Sequence, residues 1–439
     1  MYRDPQKLGE WLLTLYLGTA PVYWLPGISV GGMQVFKFLL VVSACGVVWY
    51  EAIQRDHALF PRGLAGLAGA YLVMISLFFG VFRAASMGEI ISALKDFTLC
   101  FVFLWTLYIF CTRGGNVARV FRNAALLIVL FSVPPIANWF LGIPEWSNIE
   151  GDPLWSTGFT NKRTGWSEGV ALYVPIVASF PVVTSRRSLT SFALAFVGLL
   201  ILVGGQFVSG GRGGLLASIV SLLVVSALLL PRKISIPILL AILIGGFTFS
   251  DFAYNHLRFD RLTSFSYEAL NTFTSYRLED YVATYELFWR QPLGHGFGNS
   301  VQILMEEFQQ RTELHNVWLR LLADGGLLLL VSMLSVVGYV LRENLRSLRH
   351  DVLWRLRANL AVPNAVRDRQ RILVVSLAIL LAGLTISMFA PRAPIGAFQN
   401  SAVWWAAAGV VVGMSELVRH RQPIVSREAS PSRSRVRPI

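Results

Sequence analysis

Apolar windows of the length a helix needs to cross a hydrocarbon core, roughly 17–25 residues, recur along this chain. They fall near 8–25, 33–50, 63–82, 97–112, 120–141, 169–185, 189–208, 212–230, 234–250, 315–341, 372–390 and 401–418. Inside lipid a backbone must satisfy its own N–H and C=O groups, which restricts such windows to helices or to strands of a closed barrel. Windows this long and continuously apolar predict an all-α integral membrane protein with about 12 transmembrane helices. Composition agrees: 54% of residues are hydrophobic and 14% charged, mean hydropathy is +0.57, and soluble domains carry about 25% charged residues. The expected organisation is one membrane domain over 1–418 and a basic tail over 419–439, rich in Ser and Pro and expected to be disordered. The N-terminal segment lacks a small-x-small cleavage site and reads as a retained first helix.

Charge sets the orientation. With the N-terminus on the cytoplasmic side, most of the 38 Lys and Arg fall in the short inside segments, above all 342–371 and 419–439. That is the positive-inside pattern, and an even number of spans brings the C-terminus back to the cytoplasm. The net charge of +13 is therefore assigned to loops facing anionic membrane lipids, not to nucleic acid. The basic run 342–371 reads as a cytoplasmic, lipid-facing loop. Cys45, Cys100 and Cys111 all lie in apolar stretches, so no disulfide framework is expected.

Two outer segments are long, 142–168 and the large loop 251–314. Within the second, "SYRLEDYVATYELFWRQP" (275–292) places Tyr281, Tyr285, Phe288 and Trp289 at helical spacing before Pro292. This predicts an amphipathic helix lying at the outer membrane–water boundary.

The outer side also collects the residues able to do chemistry. His315, with Asn316 beside it, stands where the large loop becomes a span. A neutral imidazole there could act as a general base, or it could simply cap the helix. Arg212, Arg258, Arg261, Arg277 and Arg290 gain nothing from the positive-inside rule, and guanidinium groups suit pyrophosphate through paired N–H donors. Arg163 is a further outer arginine. Arg212 lies in "VSGGRGGLLAS", which is either an anion-binding turn at a helix start or a tight inter-helix turn. His295, between glycines in "PLGHGFG", is a rival base. Arg320 and Asp324, four residues apart, are expected to pair with each other. The acidic residues show no metal-ligand spacing, so no metal site is expected.

Three of these stretches, in order, resemble the marks of the O-antigen ligase and polymerase superfamily: "SGGRGG", "YRLEDYVATYELFWRQPLGHGFGN" and "TELHNVWLRLLADGGLLLLV". The resemblance covers roughly 155–340. It implies a GT-C type glycosyltransferase fold at the periplasmic face of a Gram-negative inner membrane, working without metal or other cofactor. The donor would be an undecaprenyl-pyrophosphate-linked glycan and the acceptor a sugar hydroxyl of lipid A–core, with inversion. Carried onto this chain, His315 matches the proposed base. Arg212 and Arg277 match the arginines that grip pyrophosphate, with Arg258 or Arg261 assisting and Arg163, Arg290, Asn316 and His295 as further substrate-binding candidates. Polymerases and protein O-oligosaccharyltransferases share the marks, though the latter usually carry an additional C-terminal domain. A transporter of lipid-linked glycan or solute is the alternative outside the superfamily. It would place ionisable residues near the bilayer midplane, where this chain has few.

Overall fold

The computed structural model describes residues 5–22, 29–30, 33–54, 83–141, 163–183, 189–229, 236, 264, 266–273, 277–308, 314–358, 364–390 and 398–420. The chain opens with α1 (Pro5–Thr19), a small antiparallel ribbon of β1 (Ser29–Val30) and β2 (Met33–Gln34), and α2 (Val35–Gln54). Then come α3 (Met87–Thr112), α4 (Val117–Leu141), the short helices α5 (Arg163–Ala171), α6 (Val174–Ala178) and α7 (Phe180–Val183), α8 (Leu189–Val208) and α9 (Arg212–Leu228). Three further short helices are α10 (Tyr267–Phe273), α11 (Arg277–Arg290) and α12 (Asn299–Glu307). The last three are long: α13 (Val317–Ala358), α14 (Asn364–Ser387) and α15 (Phe398–His420).

Seven helices among the described residues are long and apolar enough to cross a membrane: α2, α3, α4, α8, and the Val317–Arg349, Val366–Ser387 and Ser401–Arg419 parts of α13, α14 and α15. The shorter α9 is also apolar. Along α8 the side chains of Leu194, Phe196, Val197 and Leu200 are all exposed. A helix side so uniformly apolar belongs against acyl chains rather than water.

The helix ends follow local chemistry. Ser86 caps α3 by accepting a hydrogen bond from the Glu89 N–H at 3.3 Å, the Ser-x-x-Glu pattern of a helix start. The core is densest around α15, where Trp404 and Trp405 are fully buried. The Trp404 Nε1–H donates to the Leu380 carbonyl on α14 at 3.1 Å. A Cβ at Gly409 would lie 2.3 Å from the Leu104 carbonyl oxygen, so the missing side chain is what lets α15 lie against α3. Lys37, fully buried in α2, donates to the Ala20 carbonyl just beyond α1 at 2.9 Å. The loose carbonyls at a helix C-terminal end favour a cation there.

The structure departs from the sequence expectations at three places. The window 169–185 is not one span: the described residues form α5, α6 and α7, broken around Tyr173 and Ser179. Pro175 and Pro181 have no N–H to continue the ladder. The broken segment is buried, and its side chains and turns take up the freed groups; the Tyr173 hydroxyl donates to the Leu17 carbonyl and the Ser179 hydroxyl to the Ile176 carbonyl at 2.6 Å. Irregular backbone at membrane depth survives only under such cover. The basic run 342–371, expected as a loop, is helical in its described residues, since α13 continues to Ala358 and α14 begins at Asn364. Its sequence has good helix formers, and Arg371 pairs with Asp368 one turn back at 2.9 Å. The first window yields only a 15-residue helix, too short to span at about 1.5 Å per residue. The windows 63–82 and 234–250, apart from Ile236, and the tail from 421 lie outside the described residues.

Candidate functional site

The amphipathic stretch 275–292 forms α11, and its small residues are what pack inward. Asp280, Ala283, Thr284 and Leu287 are buried, while Tyr285 and Trp289 are exposed and stack edge to face on each other at 6.0 Å. Ala283 and Leu287 join Leu304, Leu314 and Ala323 in a small apolar cluster that seats α11 against α12 and the start of α13. At the other end of α11, the Glu279 carboxylate accepts from the Asn271 side-chain amide at 2.5 Å, which docks α10.

The start of α13 is capped by Asn316, whose Oδ1 accepts from the N–H of Trp318 at 2.9 Å and of Leu319 at 3.2 Å. This satisfies two of the loose donors of the first turn and fixes His315 one residue outside the helix. The Trp318 indole N–H donates to Ser387 Oγ at 2.8 Å, tying the cap to the end of α14.

That end is where the site comes together. The Arg277 Nη1–H donates to the Phe389 carbonyl at 2.8 Å. The Tyr281 hydroxyl donates to the Met388 carbonyl at 3.0 Å, and the Asn316 amide reaches the same oxygen at 3.4 Å. Three side chains thus take up carbonyls at the negative pole of α14. Burial pushes the Tyr281 phenol above its ordinary range, against the pull of the Asn316 hydrogen bond and Arg277, so it remains a donor at neutral pH. The start of α9 meets the same place: a Cβ on Gly213, next to Arg212, would contact Phe389 Cβ at 3.5 Å. Phe389 thus meets both the Arg277 side chain and the start of α9, where Arg212 stands beside Gly213.

The glycines beside Arg212 serve close packing. Ser167 of α5 donates to the Gly211 carbonyl at 2.9 Å. A Cβ on Gly214 would lie 2.2 Å from Ser167 Oγ and 2.5 Å from its carbonyl oxygen. Gln206 holds the same corner, donating to the Ser167 carbonyl at 3.2 Å and exchanging hydrogen bonds with Ser218. Gly214→Ala is expected to cost about 1–3 kcal/mol by overpacking and to displace Arg212. A melting curve of the purified variant checks the first effect, and an activity loss beyond that of Leu215→Ala checks the second.

His315 presents two different edges. Its Nδ1 is buried without a hydrogen-bond partner and lies 3.8 Å from the Asp280 carboxylate. The side chain as a whole is 36% exposed, so its accessible part is the ring away from Nδ1. A buried carboxylate behind an imidazole whose other edge is open is a geometry suited to proton acceptance.

The remaining candidates are placed elsewhere or bound otherwise. His295 lies in the 292–298 loop, with Nε2 3.0 Å from the Leu287 carbonyl and its backbone N–H on the Ala323 carbonyl at 2.8 Å. Since that carbonyl can only accept, Nε2 carries the proton. Arg290, thirteen residues along α11 from Arg277 and so roughly 20 Å away, pairs with Glu307 and lies over the Phe308 ring at 5.2 Å. Arg320 does pair with Asp324, at 3.4 Å, and Asp324 also accepts from Ser300. Arg163 begins α5. Arg258 and Arg261 lie outside the described residues. Among the described residues no group of three or more His, Cys, Asp or Glu is arranged to hold a metal ion.

Sequence reasoning missed Asp280, which it weighed only as a metal ligand. Its signal was present: it lies one helical turn after Arg277 and one residue before Tyr281, on the face of α11 that packs toward α13. The carbonyls of Met388 and Phe389 had no signal, because backbone groups become a binding feature only through the fold.

The architecture defines a class: a helical membrane protein with arginines and a carboxylate-backed histidine gathered at one end of its bundle. Residues 197–334 match the family model described as O-antigen ligase, and the match contains Arg212, Arg277, Asp280 and His315. Through this segment, about a third of the chain, the protein is similar to the O-antigen ligase family. No curated protein matches the sequence.

Proposed function

We propose that this protein transfers a glycan from undecaprenyl pyrophosphate to a sugar hydroxyl of lipid A–core, with inversion and without a metal ion. The observation that carries the reading is that the end of α14 receives Arg277 of α11, the start of α9 beside Arg212 and the α13 cap beside His315, all three residues lying in the segment that matches the family model. In the reaction, the acceptor hydroxyl gives its proton to His315 Nε2 and its oxygen attacks the anomeric carbon. The bond from that carbon to the pyrophosphate oxygen breaks, and the electron pair leaves with the pyrophosphate. Negative charge grows on the leaving group, so donors held in place beforehand stabilise the transition state more than the bound donor. Arg277 suits this role because one edge of its guanidinium is fixed on the Phe389 carbonyl, while its other N–H groups are unengaged among the described residues. The pyrophosphate linkage brings the driving force, so no nucleotide is required. A GT-C fold, cytoplasmic termini and a periplasmic site in a Gram-negative inner membrane complete the proposal. The exposed rings of Tyr285 and Trp289 fit the membrane–water boundary on that side.

Arg277→Lys keeps the charge but loses the planar fork that can hold Phe389 and an anion together. Its kcat/KM is expected to fall roughly 10- to 100-fold, with little change in melting temperature. Steady-state kinetics with purified protein and a lipid-linked glycan checks this. Wild-type rates in Arg277→Lys and in Arg212→Gln would remove the arginines from the reaction and with them the proposed leaving-group chemistry.

A further inference from the structure

We infer that Asp280 is the positioning residue of this site, holding His315 in the tautomer that leaves Nε2 able to take a proton. The inference rests on the reading of His315 as the base. Asp280 is 7% exposed, and its Oδ2 faces an Nδ1 that is buried and makes no hydrogen bond. A polar nitrogen buried without a partner bears the cost of lost water. An Nδ1–H directed at the Asp280 carboxylate relieves it. At 3.8 Å the bond is not yet made, and a ring movement of roughly 1 Å closes it to a charge-assisted hydrogen bond. Contacts of this kind tighten when substrate is bound and charge develops.

The neighbouring groups leave Asp280 to this task. On its own helix, Arg277 is turned to the Phe389 carbonyl, Tyr281 to the Met388 carbonyl and Glu279 to Asn271. From α13, Asn316 is engaged in its cap and with Met388, and Arg320 pairs with Asp324. From α9, Arg212 meets α14 through its neighbour Gly213. When the acceptor proton arrives at Nε2, the ring becomes a cation and the Asp280 carboxylate is the anion set against it. Asp280 keeps its charge throughout and takes no proton itself, so its contribution is orientation and electrostatic support.

The test compares full-length wild type, Asp280→Asn, Asp280→Glu, His315→Ala and the Asp280→Asn/His315→Ala double variant in lipid nanodiscs. The substrates are a lipid-linked glycan donor and lipid A–core. Asp280→Asn is expected to lower kcat roughly 10- to 100-fold with the donor KM within about twofold. Asp280→Glu should restore a large part of the rate, and the double variant should be no slower than His315→Ala alone, since both changes remove one device. Wild-type kcat in Asp280→Asn, beside an inactive His315→Ala, would overturn the inference while leaving His315 as the base. A double variant slower than His315→Ala by the full Asp280→Asn factor would also overturn it. Full activity in His315→Ala would instead remove the reading on which the inference rests. If Asp280→Asn melts early, Asp280→Glu decides: recovered kcat supports a carboxylate role, and a folded but slow Asp280→Glu speaks against it.

Discussion

His315→Ala is expected to remain folded and to transfer glycan about 100- to 10,000-fold more slowly than wild type, the range that a positioned general base supplies. The separation of the two effects follows from the side chain's surroundings. Its Nδ1 makes no hydrogen bond, a good part of the ring is open, and the residue lies outside the helix that Asn316 caps. Little packing is lost, so stability should change by about 0.5–1 kcal/mol. The reaction, in contrast, loses the group that receives the acceptor proton, while the arginines that hold the donor remain. KM for the lipid-linked donor should therefore stay near the wild-type value as kcat falls. Kinetics and melting curves on the same preparation read both effects. A stability loss as large as the activity loss would mean that His315 is a structural cap.

Gly326→Ala is expected to disrupt the fold strongly. Gly326 sits inside α13 with φ 71° and ψ −171°, a backbone region that only glycine enters readily, at a cost of about 1–3 kcal/mol for other residues. Space is closed as well: a Cβ there would lie 2.4 Å from the Leu293 carbonyl carbon and 2.5 Å from the Pro292 carbonyl oxygen. Both contacts are backbone, so no side chain can swing aside. The kink exists because the 292–298 loop is hydrogen-bonded into it. Leu327 N–H donates to the Pro292 carbonyl at 3.0 Å, and the N–H groups of His295 and Gly296 donate to the carbonyls of Ala323 and Asp324 at 2.8 Å each. A methyl group must push this loop away, freeing backbone groups that have no other partners in place. The expected loss is about 3 kcal/mol or more, read as a sharp fall in melting temperature with raised hydrogen exchange across 292–298. Gly338→Ala is the control, because a Cβ there meets nothing within 4 Å.

The helical membrane character was legible because apolar windows of spanning length admit few alternatives. The amphipathic helix before Pro292 was legible for a related reason, since aromatic spacing and a proline stop are local signals, and α11 ends at Arg290 as that pattern requires. Its packing was not. The aromatic residues marked the face expected at the membrane–water boundary, and Tyr285 and Trp289 are indeed exposed, but nothing marked Ala283 and Leu287 as the side packed inside. The break in α5–α7 could have been read from Pro175 and Pro181, but the hydropathy of the segment hid it. At the site, Arg212, Arg277 and His315 stood out as ionisable residues of the outer segments, each within a stretch that carries the family resemblance. Asp280 did not, since a lone carboxylate in a polar loop gains meaning only from the imidazole facing it. The glycines around Arg212 suggested an anion cradle as readily as a tight turn, and Ser167 packed against Gly211 and Gly214 supplies the second explanation.

The most direct measurement incubates purified protein with an undecaprenyl-pyrophosphate-linked glycan and lipid A–core in the presence of EDTA, then asks where the glycan has gone. Glycan on lipid A–core from wild type, and almost none from His315→Ala, is the expected result. Glycan lengthened on its lipid carrier would make the protein a polymerase. No transfer by a folded wild-type protein, or transfer undiminished in His315→Ala, would contradict the assignment of this site as a histidine-based glycosyltransferase centre.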